Sequence, residues 1–196
     1  MSLLKVIEDT IDKIKDIEEI KINAMYIEEA NNISNEYKLI SSLNDIYSKY
    51  NKIKISWESK ENSGYIELLS KKEILSKQEE LIELSKEFID DDAIDDIDII
   101  AEDLRNWLPI FRFPNDDMFC IDRRNNKVVF FEHDVFDTGI NLHGLIIAKS
   151  IEDLILKWSR VLFIDLYDWY DGVDEEEGID LTKSIYKDIF NLVNNY

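Results

Sequence analysis

The chain has 196 residues, a net charge of −20, 45% hydrophobic and 11% aromatic residues, and a single cysteine. These values exclude an internal disulfide and a cysteine-based zinc site, and they place the chain among globular rather than disordered proteins. So acidic a surface is repelled by nucleic acid and by anionic membrane, and on charge by itself it fits equally a basic protein partner, through steering and complementarity, or solubility alone.

One domain spanning residues 1–196 is expected at this length, and it can bury roughly 70% of its unfolded surface. The start, Met1-Ser2-Leu3-Leu4-Lys5, lacks a signal-peptide core, and no apolar run approaches the roughly 18 residues of a membrane span. A cytoplasmic location follows as the expectation, and the lone cysteine fits a reducing compartment.

Taken in order, residues 3–22 carry Leu4, Ile7, Ile11 and Ile14 at spacings of three and four, the mark of an amphipathic helix. The spacing continues over residues 26–50 through Ala30, Ile33, Tyr37, Ile40 and Tyr47, with a break expected near Asn31-Asn32 or Ser34, so residues 1–50 read as a helical part. Ile53–Glu58 alternates as a strand, residues 60–64 form a turn, and Tyr65–Leu69 returns, giving a hairpin. Ser70 with Glu73, and Ser76 with Glu79, both match a capping box. A helix therefore starts at one of them and runs to about Phe88, with Leu81, Ile82, Leu84, Ser85 and Phe88 inward.

Residues 90–98 hold six aspartates. They lack the Gly and Glu positions of a calcium loop, so they read as a solvated linker into the next strands or a contact surface for a basic partner. Three short runs with a period of two follow: Ile110–Phe113, Met118–Asp122 and Val128–His133. Turn formers separate them at residues 114–117 and 124–127. They read as an antiparallel three-stranded meander from Trp107 to Asp134, with Cys120 a buried, inert thiol.

Residues 135–144 read as a loop and Leu145–Ala148 as one more buried strand. Ser150 with Asp153 opens a helix through Leu154, Ile155, Trp158, Val161 and Leu162, expected to continue towards Trp169 before Gly172 stops it. The carboxylates that follow would then oppose the macrodipole at its end. Residues 182–193 read as a last short helix with Ile185, Ile189 and Val193 on one side. The pattern as a whole is α+β: a single domain with a central antiparallel or mixed sheet, hairpin plus meander, flanked by helices.

Catalytic signals are sparse. His133 and His143 fit no metal-binding spacing, and no phosphate loop, nucleophile elbow or dinucleotide fingerprint occurs. Glu132-His133-Asp134 is the one trio that a hydrolase could use, yet neighbours on a strand point to opposite faces. No catalytic residue, metal or cofactor is assigned. A partner surface reads more readily from Asp165, Asp168, Trp169, Tyr170, Asp171, Asp174 and Glu175, where aromatic residues stand among carboxylates, although Trp169 and Tyr170 read equally well as core on the long helix.

Phe113-Pro114-Asn115-Asp116-Asp117 with Phe119-Cys120-Ile121-Asp122, then Lys127 to Asp134, then Ile147-Ala148-Lys149-Ser150-Ile151 and Trp158, resemble the SUKH superfamily. That group includes fungal Smi/Knr-type regulators and many bacterial immunity proteins. The resemblance is best over residues 105–172. It implies a single α+β domain without enzymatic activity, which in bacterial members binds and neutralises a cognate toxin, frequently a nuclease. A basic toxin occluded by this acidic domain is the expected partner. A regulatory scaffold for a non-toxin partner is the alternative, and a hydrolase using Glu132, His133 and Asp134 the third.

Overall fold

A computed structural model describes residues 2–30, 41–88, 97–133 and 142–195. Its centre is one seven-stranded sheet, antiparallel throughout, in which the strands lie side by side in chain order. They are β1 (Lys21–Glu29), β2 (Tyr50–Glu58), β3 (Ser63–Leu68), β4 (Trp107–Arg112), β5 (Met118–Asp122), β6 (Val128–Phe131) and β7 (Ile146–Ala148). Helix α1 (Leu3–Asp16) precedes the sheet and α2 (Asn44–Lys49) leads into β2. Helices α3 (Lys71–Phe88) and α4 (Ile97–Asn106) stand between β3 and β4. After β7 come α5 (Ile151–Trp158), a small hairpin of β8 (Val173–Asp174) and β9 (Gly178–Ile179), and α6 (Lys187–Asn194).

Alternation along the strands builds two cores. Ile53, Ile55 and Trp57 of β2 share a face with Ile66 and Leu68 of β3 and with Phe111 and Phe119 further on. All are buried against α1, α5 and the C-terminal turns. Met118, Cys120, Val129 and Phe131 point to the other face and meet Leu81 of α3 and Leu104 of α4 in a smaller cluster with Trp107. Burial pushes the Cys120 thiol up, so it stays protonated and inert, as anticipated.

The hairpin, the meander and the strand at 146–148 match the alternation. So do the starts of α3 and α5. Ser70 Oγ accepts from Glu73 N–H at 3.3 Å while the Glu73 carboxylate accepts from Ser70 N–H at 2.9 Å. Ser150 Oγ accepts from Asp153 N–H at 3.2 Å. The last helix also forms, entered by a 3-10 turn at Ser184–Tyr186.

Four expectations need correction. The first helix ends at Asp16 rather than near residue 22, and Lys21–Glu29 is an edge strand on β2, not part of a helical region. The predicted break at residues 31–40 lies outside the described residues. Residues 97–106 form α4 instead of a linker, and residues 90–96 of the aspartate run are likewise not described. The third strand of the meander stops at Phe131, so Glu132 and His133 follow it rather than belong to it.

The fourth correction concerns α5, which stops at Trp158 and does not reach Trp169. A 3-10 turn follows, and then Leu162 and Phe163 adopt left-handed backbone at φ 54° and 57°. Such conformations cost about 1–2 kcal/mol for a residue with a β-carbon. Four hydrogen bonds hold this stretch in place. The Trp57 indole donates to Leu162 O at 2.8 Å and the Trp158 indole to Ile164 O at 2.7 Å. Tyr65 N–H donates to Phe163 O at 2.9 Å, and Asp165 N–H to Ser63 O at 3.0 Å. The chain fits here because β3 and β4 share one register pair, Leu68 with Phe111, and separate beyond it.

Candidate functional site: an acidic groove and its neighbourhood

The clamp at 162–165 delivers Asp165 to the end of the sheet, beside the turn that joins β4 to β5. There a groove of about 450 Å³ opens. Phe113, Phe130, Leu166 and Trp169 line it while remaining mostly buried, so its floor is the outer surface of the main core. Asp117, Glu132 and Asp165 supply carboxylates, and Tyr167 stands fully exposed at its side.

Each carboxylate has a distinct setting. Asp117 lies in the turn after Pro114-Asn115, where Asp116 takes a left-handed φ of 67°. Its Oδ1 accepts from the backbone N–H of His133 at 3.0 Å and lies 2.8 Å from His133 Nδ1. Glu132 accepts from Leu142 N–H at 2.8 Å, tying the end of β6 to the approach to β7. Asp165 sits deepest. Burial, and then the nearby negative charge of Asp117, push its pKa up to about 6. A carboxyl held reluctantly ionised gains when a cation arrives, because the cation relieves both causes.

Beyond the groove the chain turns sharply. Asp168 Oδ1 accepts from Tyr170 N–H at 2.9 Å and caps the short 3-10 helix Trp169–Gly172. Tyr170 is half-exposed and donates to Glu175 at 2.9 Å. Asp174 accepts from the N–H groups of Glu176 and Glu177 at 3.0 Å each, which shapes the β8–β9 turn. Tyr170, Val173, Asp174, Glu175, Glu176 and Lys183 line a second recess of about 390 Å³.

The seven residues picked out from sequence are thus divided. Asp165 and Trp169 belong to the groove, Tyr170, Asp174 and Glu175 to the second recess, and Asp168 and Asp171 to the turn between them. Trp169 is no surface anchor. It is 2% exposed, and its ring lies 4.9 Å from that of Phe119 and 5.9 Å from that of Phe113. In this neighbourhood the exposed aromatic residues are Tyr167 and Tyr170. Asp117 and Glu132 were not selected as partner contacts from sequence, and Tyr167 was covered only as part of the acidic stretch 165–177. Asp117 looked like a turn former, and nothing local marks its approach to Asp165.

Of the trio considered for hydrolysis, two members lie among the described residues. Glu132 turns to Leu142 and His133 to Asp117. Asp134 lies outside the described residues. No Ser, Thr or Cys is among the described residues that line the groove. Among the described residues no group of three or more His, Cys, Asp or Glu is placed to hold a metal ion. Among them, too, no helix is long and apolar enough to cross a membrane.

His143 belongs to a different environment. Its ring stacks on Trp107 at 4.5 Å and meets Phe131 edge-on at 5.8 Å. Burial holds its pKa down at about 4, so it is neutral at physiological pH.

A comparison with protein families finds that the model described as SMI1 / KNR4 family (SUKH-1) matches residues 11–157, about three quarters of the chain. No curated protein and no solved structure matches it.

Proposed function

The chain belongs to the SMI1 / KNR4 family (SUKH-1), and on that premise we propose that it is a non-enzymatic protein-binding domain of the immunity type, which neutralises a basic toxin by occluding it. The observation that carries this reading is the groove, where three carboxylates converge on an aromatic floor beside the exposed Tyr167. A lysine or arginine side chain of a partner fits that chemistry. Its charged head meets Asp117 and Asp165 while its aliphatic stem lies along Phe113 and Leu166.

The net charge of −20 extends the attraction beyond the groove and speeds encounter with a basic surface. A toxin that grips nucleic acid presents such a surface, and a domain dense in carboxylates competes for it. Tyr167 and Tyr170 supply area that becomes dry on binding, which is where binding energy concentrates. The described residues that line the groove offer carboxylates and aromatic rings but no Ser, Thr or Cys, a lining suited to contact with a cationic side chain.

Co-expression with the protein encoded beside this gene, followed by co-purification and a growth-rescue assay, tests the reading. A stable complex, rescue, and loss of both in the Asp165→Asn, Tyr167→Ala double variant are expected. Failure to bind or protect overturns the immunity reading.

A further inference from the structure

The two ends of the sheet differ. At one end β7 has three residues, and the β8–β9 hairpin lies against it so closely that a β-carbon on Gly178 would collide with the backbone of Ile147. At the other end β1 has nine residues, and no strand lies on its outer side among the described residues. Its ladder with β2 is irregular between Ile22 and Ala24 and again between Glu28 and Glu29. Between these points Ala24-Met25-Tyr26-Ile27-Glu28 is regular and holds neither Lys nor Pro, two residues that commonly guard an edge. Met25 and Tyr26 are 38% and 51% exposed.

We propose that β1 pairs antiparallel with β1 of a second copy of this chain, about a two-fold axis at Met25, so that two sheets join into one. The strand's own sequence fits that register. With Met25 opposite itself, Tyr26 of each copy lies opposite Ala24 of the other, a large ring over a small side chain, twice. Lys21 lies beyond the irregularity and stays paired with Glu58 of its own chain at 2.7 Å, so it leaves this central register undisturbed. Centring the pair on Glu28 would instead set carboxylate against carboxylate. Met25 shares the face of Ile55 and Ile66 and extends that apolar row, while Tyr26 lies on the opposite face beside Lys54. The outward N–H and C=O groups of the strand gain partners in the same step. Two chains of charge −20 repel at long range, and the pairing therefore strengthens as salt screens them. This inference is independent of the toxin-binding reading.

Sedimentation equilibrium of the full chain in about 0.02 M and about 0.5 M salt, conditions that span long and short screening lengths, tests it. A dimer fraction that rises with salt is expected, with Tyr26→Lys monomeric in both and unchanged by circular dichroism. Oxidation of a Met25→Cys chain should give a disulfide-linked dimer, since a residue on the axis faces itself, whereas Tyr167→Cys should not; buried Cys120 takes no part. A wild-type chain that stays monomeric in high salt, or Met25→Cys cross-linking no better than Tyr167→Cys, overturns the proposal.

Discussion

The indole Nε1 of Trp57 donates to the carbonyl of Leu162 at 2.8 Å, joining β2 to a residue 105 positions later. Both partners are buried, and Leu162 is one of the two left-handed residues that end α5 and set the path of Asp165. Trp57→Phe leaves that carbonyl unpaired beside a small cavity, which should cost roughly 2 to 4 kcal/mol. Gly64 packs flat on the same indole, where a β-carbon would fall within the ring. Gly64→Ala should therefore destabilise by roughly 1 to 3 kcal/mol through overpacking. Urea unfolding should show both as lower midpoints with unchanged slopes.

Glu67 is 2% exposed and stands among cations. It accepts from Arg112 at 2.7 Å and Tyr65 at 2.5 Å, with the ammonium groups of Lys52 and Lys54 at 3.0 and 3.3 Å. Burial pushes its pKa up, but these partners prevail and hold it down at about 2. Its contribution to stability is thus complete above the ordinary value of 4.5 and is lost as pH falls from there towards 2. Glu67→Gln should lower stability at neutral pH by about 2 to 4 kcal/mol, less than for a fully buried pair because the cations reach water. It should also remove this part of the acid dependence, which denaturant titrations across pH will reveal.

His143 acts over a higher window. Burial depresses its pKa from 6.5 to about 4, so the folded state favours the neutral ring. Stability from this group is full above 6.5 and declines as pH falls to about 4, because the unfolded chain takes up the proton first. His143→Phe keeps an aromatic ring beside Trp107 and should abolish that slope. The difference in unfolding free energy between the two chains, followed by pH, should change between 6.5 and 4 and be flat above.

Asp165 has the opposite sign. Its folded pKa is raised from 3.8 to about 6, so its stabilising effect is full below 3.8 and lost as pH rises through 6. Asp165→Asn should therefore make the free protein more stable at pH 7.5 while weakening its hold on a basic partner by about tenfold or more. Wild-type affinity should fall as pH drops through 6, and the variant's should not. Calorimetric titration at several pH values distinguishes these outcomes.

Tyr167 should separate binding from folding in the other direction. Its ring is fully exposed, so Tyr167→Ala should shift the unfolding midpoint very little. The same change should raise the dissociation rate of the partner by about tenfold, as removal of an aromatic contact does in a desolvated interface. Biolayer interferometry beside thermal unfolding measures both effects.

The meander, the hairpin at 53–69 and the caps at Ser70 and Ser150 were legible because local chemistry and tertiary packing agree there. Alternating Ile53, Ile55 and Trp57 face one core, and the serines bond their own helix. β1 was hidden for the opposite reason. Ile22 and Ile27 are only partly buried against the main core and the ladder is irregular between Ile22 and Ala24, so Lys21–Glu29 carries no clean period of two and its conformation is imposed by pairing with β2. α4 was masked by the aspartates ahead of it, although Ala101 and Leu104 are spaced for one helix face. The early end of α5 depends on the Trp57 indole and the parting of β3 from β4, both remote in sequence, as well as on Trp158 of the helix itself. The groove shares that difficulty, since Asp117, Glu132 and Asp165 meet only once the sheet has formed.

The hairpin tucked against β7 sets an upper bound on assembly. A molecule that can recruit a neighbour along one border alone is saturated after a single event, because the far border of each mate is already blocked. Propagation into fibrils by this route is thereby ruled out, and the exposed border of β1 carries the risk of at most one addition.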